Sequence, residues 1–172
     1  YCILYLVRSR GLGYVYKRPV PVSETLELSL VVPIFNEQES IGPLIERVVE
    51  AMASYSAGWE LILVDDGSTD ATIANARAYL SREGLSLKIV ALQRNFGQTA
   101  AMQAGIDNAR GRLIATLDGD LQNDPKDIPM LVSELERREL DLLVGWRKNR
   151  QDGLFLRKLP SWIANRLIGR IT

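Results

Sequence analysis

Leu113-Ile114-Ala115-Thr116-Leu117-Asp118-Gly119-Asp120-Leu121-Gln122 sets the architecture of this chain. Five apolar or β-compatible residues run directly into two carboxylates one residue apart, which reads as a buried strand presenting acids at its carboxyl end. Such a pair loses hydration and repels itself, so it calls for a partner. A divalent cation is one, and oxygen donors without sulfur or imidazole suit Mg²⁺ or Mn²⁺. These ions usually reach proteins together with phosphates, so the stretch points to a nucleotide-diphosphate site. The competing reading, a solvated loop after a strand, loses ground when the neighbouring loops are considered.

Working outward, further apolar runs predict strands at Leu28–Val32, Leu61–Val64, Leu87–Leu92 and Leu140–Val144. Between them the apolar spacing switches to 3–4 residues. Glu39–Ser54 carries Ile41, Leu44, Ile45, Val48, Val49 and Met52 on one helical face. Asp70 is placed to cap a helix running to about Leu80. Gly97–Ala109 predicts a small-residue helix, and Pro125–Arg138 an amphipathic one with proline at its start. Strands alternating with helices imply right-handed crossovers and an α/β fold with a mostly parallel sheet. In such sheets ligands bind beyond the carboxyl ends of the strands. Polar clusters fall there: Asn36-Glu37, Asp65-Asp66, Arg94-Asn95, Asp118 with Asp120, and Arg147.

The 172 residues suffice for one domain with a sizeable core, and 47% hydrophobic content is ordinary for a globular protein. Net charge is zero but unevenly spread. Residues 1–22 hold four basic residues and no acid, and residues 146–172 hold seven basic residues and one acid. The middle is therefore acidic and the far end basic, which suits contact with phosphates or an anionic membrane surface. There is no histidine, which excludes Ser-His-Asp chemistry, His-ligated zinc and a histidine base. The lone Cys2 allows no internal disulfide. No apolar run approaches the ~18–20 residues that span a bilayer. Residues 1–25, interrupted by Pro19 and Pro21, read as a poorly ordered N-terminal extension, with the ordered body beginning near Leu26.

Several motifs carry two readings. Val32-Pro33-Ile34-Phe35-Asn36-Glu37 is a strand end and helix entry, or a wall for a nucleobase and ribose. Asp65 and Asp66, adjacent charges, favour ligand contact, whereas Asp70 favours helix capping. Gly97, Ala100, Ala101, Ala104 and Gly105 read as tight helix–sheet packing. Arg94 faces a phosphate or a local carboxylate. The stretch Leu159–Ile171, with Trp162 among basic residues, is core packing or an interfacial surface.

With these residues in place, the chain resembles family 2 glycosyltransferases of the polyprenyl-phosphate branch, which includes dolichyl-phosphate mannose synthases and undecaprenyl-phosphate sugar transferases. The resemblance covers about residues 27–170. It rests on VVPIFNE at 31–37, DDGSTD at 65–70, RNFGQTAAMQAG at 94–105, DGDLQNDP at 118–125, GWR at 145–147 and RKLPSWIANRL at 157–167. It implies a GT-A fold, a Rossmann-like three-layer sandwich, over residues 26–172, with a C-terminus that stops short of the branch's usual extent. It implies metal-dependent, inverting transfer of a sugar from a nucleotide-sugar to a membrane polyprenyl phosphate, with no nucleic acid involved. The site would be the cytoplasmic face of a membrane, the bacterial inner membrane.

Carried over by position, Pro33, Phe35 and Glu37 would border the nucleobase, and Asp65 and Asp66 would bind base or ribose. Asp118, Asp120 and Gln122 would hold Mg²⁺ or Mn²⁺ and the diphosphate, Asp118 also touching the donor. Arg147, Arg157 and Ser161 would hold phosphates, with Asp120 and Arg147 as the catalytic pair. Two alternatives remain: a glycosyltransferase with a sugar or protein acceptor, and a nucleotide-binding module without catalysis. A Rossmann dehydrogenase is disfavoured, since no GxGxxG follows the first strand.

Overall fold

The computed structural model describes residues 2–3, 14–17, 26–119 and 124–145. Two short strands come first, β1 (Cys2–Ile3) and β2 (Tyr14–Lys17). Then β3 (Leu26–Ile34) leads to helix α1 (Ile41–Met52), and β4 (Gly58–Asp65) to α2 (Thr72–Arg77), which tightens into a 3₁₀ turn at Ala78–Ser81. Strand β5 (Leu87–Ala91) leads to α3 (Gln98–Asn108), and β6 (Leu113–Thr116) is followed by a 3₁₀ turn at Pro125–Asp127 that opens α4 (Ile128–Arg137). Last comes β7 (Val144–Gly145).

The main sheet has the order β2-β5-β4-β3-β6. Strands β3 to β6 are mutually parallel, and β2 closes one edge antiparallel to β5, Tyr14 facing Ala91. The extension therefore contributes a strand to the sheet, which its composition did not announce. The crossovers β3-α1-β4-α2-β5 step one way across the sheet. The next, through α3, returns past β4 and β3 to place β6 on the other side. The direction of winding thus reverses after β5: α3 crosses the face of the sheet opposite α1, α2 and α4, and a crevice opens at the carboxyl ends of the strands.

Strand side chains alternate between two cores. Leu28, Leu30, Val32 and Ile34 of β3 join Leu61, Leu63, Leu87, Ile89, Leu113 and Ala115 beneath the helices α1, α2 and α4. Val31, Ile62, Val64, Val90 and Ile114 face the other way, beneath Ala101 and Ile106 of α3. Being buried on both faces explains why these strands read as continuous apolar runs. Three layers result: helices, sheet, helix.

One expectation is corrected. The run Leu140–Val144 is not a fifth parallel strand: only Val144–Gly145 is extended and paired, and it pairs antiparallel with Cys2–Ile3 in a separate two-stranded ladder. Leu140, Leu142 and Val144 are exposed. The apolar content suits a strand, but which edge a strand joins depends on distant partners that a local pattern does not encode.

Candidate active site

The crevice at the reversal of the sheet is a cleft of about 430 Å³. It is lined by Pro33 and Ile34 at the end of β3, by Phe35 and Glu37 just after it, by Asp66 after β4, by Asn95, Gly97 and Gln98 before and within α3, and by Asp118 and Gly119 after β6. All four parallel strands thus send their carboxyl-end loops to one place.

The loop after β3 is locked to the loop after β4. Asn36 adopts φ 54°, an uncommon left-handed conformation for a residue other than glycine. Its N–H donates to Ser68 Oγ (2.8 Å), and its Oδ1 accepts from Thr69 N–H (3.0 Å). The next two amides follow suit, Glu37 N–H donating to Thr72 Oγ1 (2.8 Å) and Gln38 N–H to Asp70 Oδ2 (3.3 Å). The Thr72 hydroxyl also donates to Asp70, and this bond chiefly holds the Asp70 carboxyl below the usual carboxylate range. Asp70 therefore acts at the start of α2, one residue ahead of the cap position occupied by Ala71. The Ser40 hydroxyl donates to the Glu37 carboxylate, orienting that acid on the cleft wall.

The adjacent acids Asp65 and Asp66 point to different sides of the sheet. Asp65 is fully buried and does not line the cleft. Its Oδ2 accepts from the N–H groups of Gly67 (3.1 Å) and Ser68 (3.0 Å), and its Oδ1 has no partner among the described residues. Asp66 lies on the cleft, its two oxygens accepting from Phe96 N–H (2.8 Å) and Gly97 N–H (2.9 Å). Backbone amides thus offset much of the repulsion that the pair would otherwise suffer. Gly67 permits this arrangement: at φ 76°, a Cβ there would lie 2.4 Å from the Arg94 carbonyl carbon.

Asp118 sits where β6 ends, and Gln98 Nε2 donates to its Oδ1 at 3.0 Å. Gly119 packs beside β3, where a Cβ would come within 3.0 Å of Pro33 O. Arg94 stacks its guanidinium over the Phe96 ring, 4.2 Å from the centroid.

Of the residues proposed from sequence, Pro33, Phe35, Glu37, Asp66 and Asp118 come together on this cleft, and Asp65 lies beneath it. Asp120, Gln122, Arg147, Arg157 and Ser161 lie outside the described residues. Asn95, part of the Arg94-Asn95 cluster expected at the ligand end of the third strand, does line the cleft; Gln98 was not anticipated there. The available signal was its place after the third parallel strand, on the ligand side of the sheet.

A family model for glycosyl transferase family 2 matches residues 29–171. The chain belongs to glycosyl transferase family 2. Among curated members of the family, dodecaprenyl-phosphate galacturonate synthase from Rhizobium johnstonii is 81% identical over 149 residues, which is 87% of this chain and 44% of that protein. Undecaprenyl-phosphate 4-deoxy-4-formamido-L-arabinose transferase from Salmonella choleraesuis is 46% identical over 147 residues, 85% of this chain and 44% of that protein. The chain thus spans under half the length of these relatives. Among solved structures, S. aureus TarS 1–349 has a TM-score of 0.57 at 23% identity, covering 73% of this chain and 39% of TarS 1–349. The mannosyltransferase PcManGT from Pyrobaculum calidifontis, in complex with GDP-Man and Mn²⁺, has a TM-score of 0.53 at 23% identity, covering 73% and 36%. These likenesses show the GT-A fold.

The cleft is acidic. Glu37, Asp66 and Asp118 line it, and among the described residues no lysine or arginine does. A diphosphate entering such a wall meets like charge unless a cation accompanies it. Among the described residues no three acids, cysteines or histidines cluster tightly enough to hold a metal alone. The oxygen donor set Asp118, Asp120 and Gln122 nonetheless suits a hard divalent ion that keeps some waters and shares the diphosphate.

Proposed function

We propose that this chain carries the donor site of an enzyme that transfers a sugar, with inversion, from a nucleotide-sugar to a polyprenyl phosphate. The reaction would run at the cytoplasmic face of the bacterial inner membrane. The observation that carries the reading is the acidic cleft at the winding reversal, with Asp118 at the end of β6, in a chain 81% identical to a dodecaprenyl-phosphate sugar synthase. Among the described residues no helix is long and apolar enough to cross a membrane. The basic residues after 146 would meet the anionic membrane surface.

In this reading Pro33, Phe35 and Glu37 form the wall against the nucleobase. Asp66 faces the ribose, its carboxylate fixed by two amides. Asp65, buried below the surface, would support this wall by holding the Gly67 and Ser68 amides. Asp118, Asp120 and Gln122 would hold Mg²⁺ or Mn²⁺, which when bound offsets charge on the departing diphosphate. Arg147, Arg157 and Ser161 would hold the donor and acceptor phosphates.

The chemistry needs no strong base. A phosphate monoester has a second pKa near ~6, so the lipid phosphate is largely ionised at neutral pH. Its oxygen forms a bond to the anomeric carbon as the bond from that carbon to the diphosphate oxygen breaks, and in-line geometry inverts the configuration. The protein's work is alignment and charge placement, which fits a chain without histidine.

The test is transfer of labelled sugar from a panel of nucleotide-sugars, using membranes that contain the full-length protein, polyprenyl phosphate and Mn²⁺. Asp118→Ala and Asp120→Ala should each lower transfer by about 100-fold or more. Undiminished transfer in Asp120→Ala would reject the assigned site. Transfer to a soluble sugar in place of the lipid would reject the acceptor.

A further inference from the structure

We infer that Gln98 is a positioning residue for Asp118, and that Asp66 holds Gln98 in place through the turn at Phe96-Gly97. The inference rests on the proposed function, since it takes Asp118 as a cation ligand, and it adds a residue that the reading above leaves without a role.

The path is continuous. Asp66, at the end of β4, receives the N–H groups of Phe96 and Gly97 at 2.8 and 2.9 Å. Gly97 stands at the cap position of α3 with φ 94° and ψ 155°, a conformation that glycine alone adopts readily. Gln98 is the next residue and the first of α3. Its main chain is therefore fixed by the two clamped amides before it and by the helix after it. From there the side chain reaches Asp118 Oδ1, 3.0 Å from Nε2.

This bond spans the cleft. β5 and β6 are not neighbours, being separated by β4 and β3 in the sheet. A glutamine at a helix start on a surface normally solvates its amide. Gln98 is exposed too, yet its amide lines the cleft and donates to the Asp118 carboxylate. The donor type also matters. A neutral amide fixes the plane of a carboxylate without competing for the cation, whereas lysine would compete with it and glutamate would repel Asp118. Groups that orient metal ligands in this way typically change metal affinity or activity by about 10–100-fold when removed.

The experiment titrates Mn²⁺, alone and with uridine or guanosine diphosphate present, into the full-length protein and its variants, following free Mn²⁺ by electron paramagnetic resonance. Gln98→Ala should weaken Mn²⁺ binding by about 10-fold or more while the melting temperature stays near that of the parent. Gln98→Glu keeps the size and the helix propensity but sets a second carboxylate against Asp118. With no amide to donate, it should depart from the parent's Mn²⁺ affinity by about 10-fold or more at constant pH. Asp66→Asn trades one acceptor for a donor facing an amide, and should weaken binding in the same sense as Gln98→Ala. Asp118→Ala separates the two levels. If it leaves Mn²⁺ binding unchanged, the cation-ligand reading falls and this inference with it. If it abolishes binding while both Gln98 variants match the parent in affinity, only the role of Gln98 is overturned.

Discussion

Asn36 and Gly67 occupy left-handed backbone positions on either side of the same loop–loop junction, and they answer to different constraints. Asn36 tolerates φ 54° because a short polar side chain bonds locally, here to Thr69 N–H. Gly67 combines a positive φ with no room: any Cβ would overlap the Arg94 backbone. Gly67→Ala should therefore destabilise the fold by about 2 kcal/mol or more and push the Arg94–Gly97 turn away from Asp66. Thermal melting reads the first effect and nucleotide affinity the second. At Asn36 the expected order is graded. Asn36→Gly keeps the backbone and loses only the side-chain bond, whereas Asn36→Ala loses both and should cost about 1–3 kcal/mol. Equal melting temperatures for the two variants would show that the conformation is not what asparagine supplies. At this scale the sequence was legible as polar residues after strands, but not as to which carboxylate serves what. Asp65 and Asp66 are neighbours in sequence, yet strand alternation puts one beneath the cleft and the other on it.

Helix α3 shows what an element can and cannot declare. Its small residues, Gly97, Ala100, Ala101, Ala104 and Gly105, read as close packing on a sheet; Ala101 is buried and a Cβ on Gly105 would lie 2.3 Å from Val31 Cγ1 and 2.9 Å from Val64 Cγ2, whereas Ala100 is exposed and Gly97 lines the cleft. Gly105→Leu should force the helix off the sheet, cost about 3 kcal/mol or more and displace Gln98 at its other end. Protection of the β3 and β4 amides from hydrogen exchange would report the damage. Helix α1 was legible for the opposite reason, since its strong apolar face, Ile41, Leu44, Ile45 and Val48, is buried as the spacing demands. The run at 140–144 misled because its apolar content suits a strand while its pairing is not local. Val144 and Gly145 meet Ile3 and Cys2, about 140 residues away in sequence, and no property of LDLLV specifies that partner.

Across the whole molecule the two ends of the sheet have different duties. The carboxyl ends carry the cleft. Near the amino ends lies a buried ionic cluster in which Glu60, 1% exposed, accepts from Ser29 Oγ (2.8 Å), Arg110 N–H (2.8 Å) and the Arg110 guanidinium (2.9 Å). Lys88 Nζ lies 3.7 Å from Glu60 and donates to the carbonyl of Asn108, so β3, β4, β5 and the turn into β6 are joined at one point. Removing the acid takes the counter-charge from the buried Lys88 and the acceptor from Ser29 and Arg110; Glu60→Ala should cost about 3–5 kcal/mol, measured by denaturant unfolding. A mild dependence on pH comes from the surface. The hydrogen bond from Arg112 holds the Glu27 carboxyl below its ordinary value of 4.5. A lowered folded value means that the pair's contribution is present above pH 4.5 and fades as pH falls from there through the folded value. Being exposed, it is worth under about 1 kcal/mol, so Glu27→Gln should flatten the acid limb of stability only slightly. The sequence by itself determined the α/β alternation, the parallel sheet and the loops that carry chemistry, because apolar period and strand-end polarity are local properties of the chain. Only the tertiary structure decided that β2 closes the sheet, that Val144 pairs with Ile3, and that Gln98 reaches across to Asp118. Those relations join segments far apart in sequence, and their energies exist only once the chain has brought the segments together.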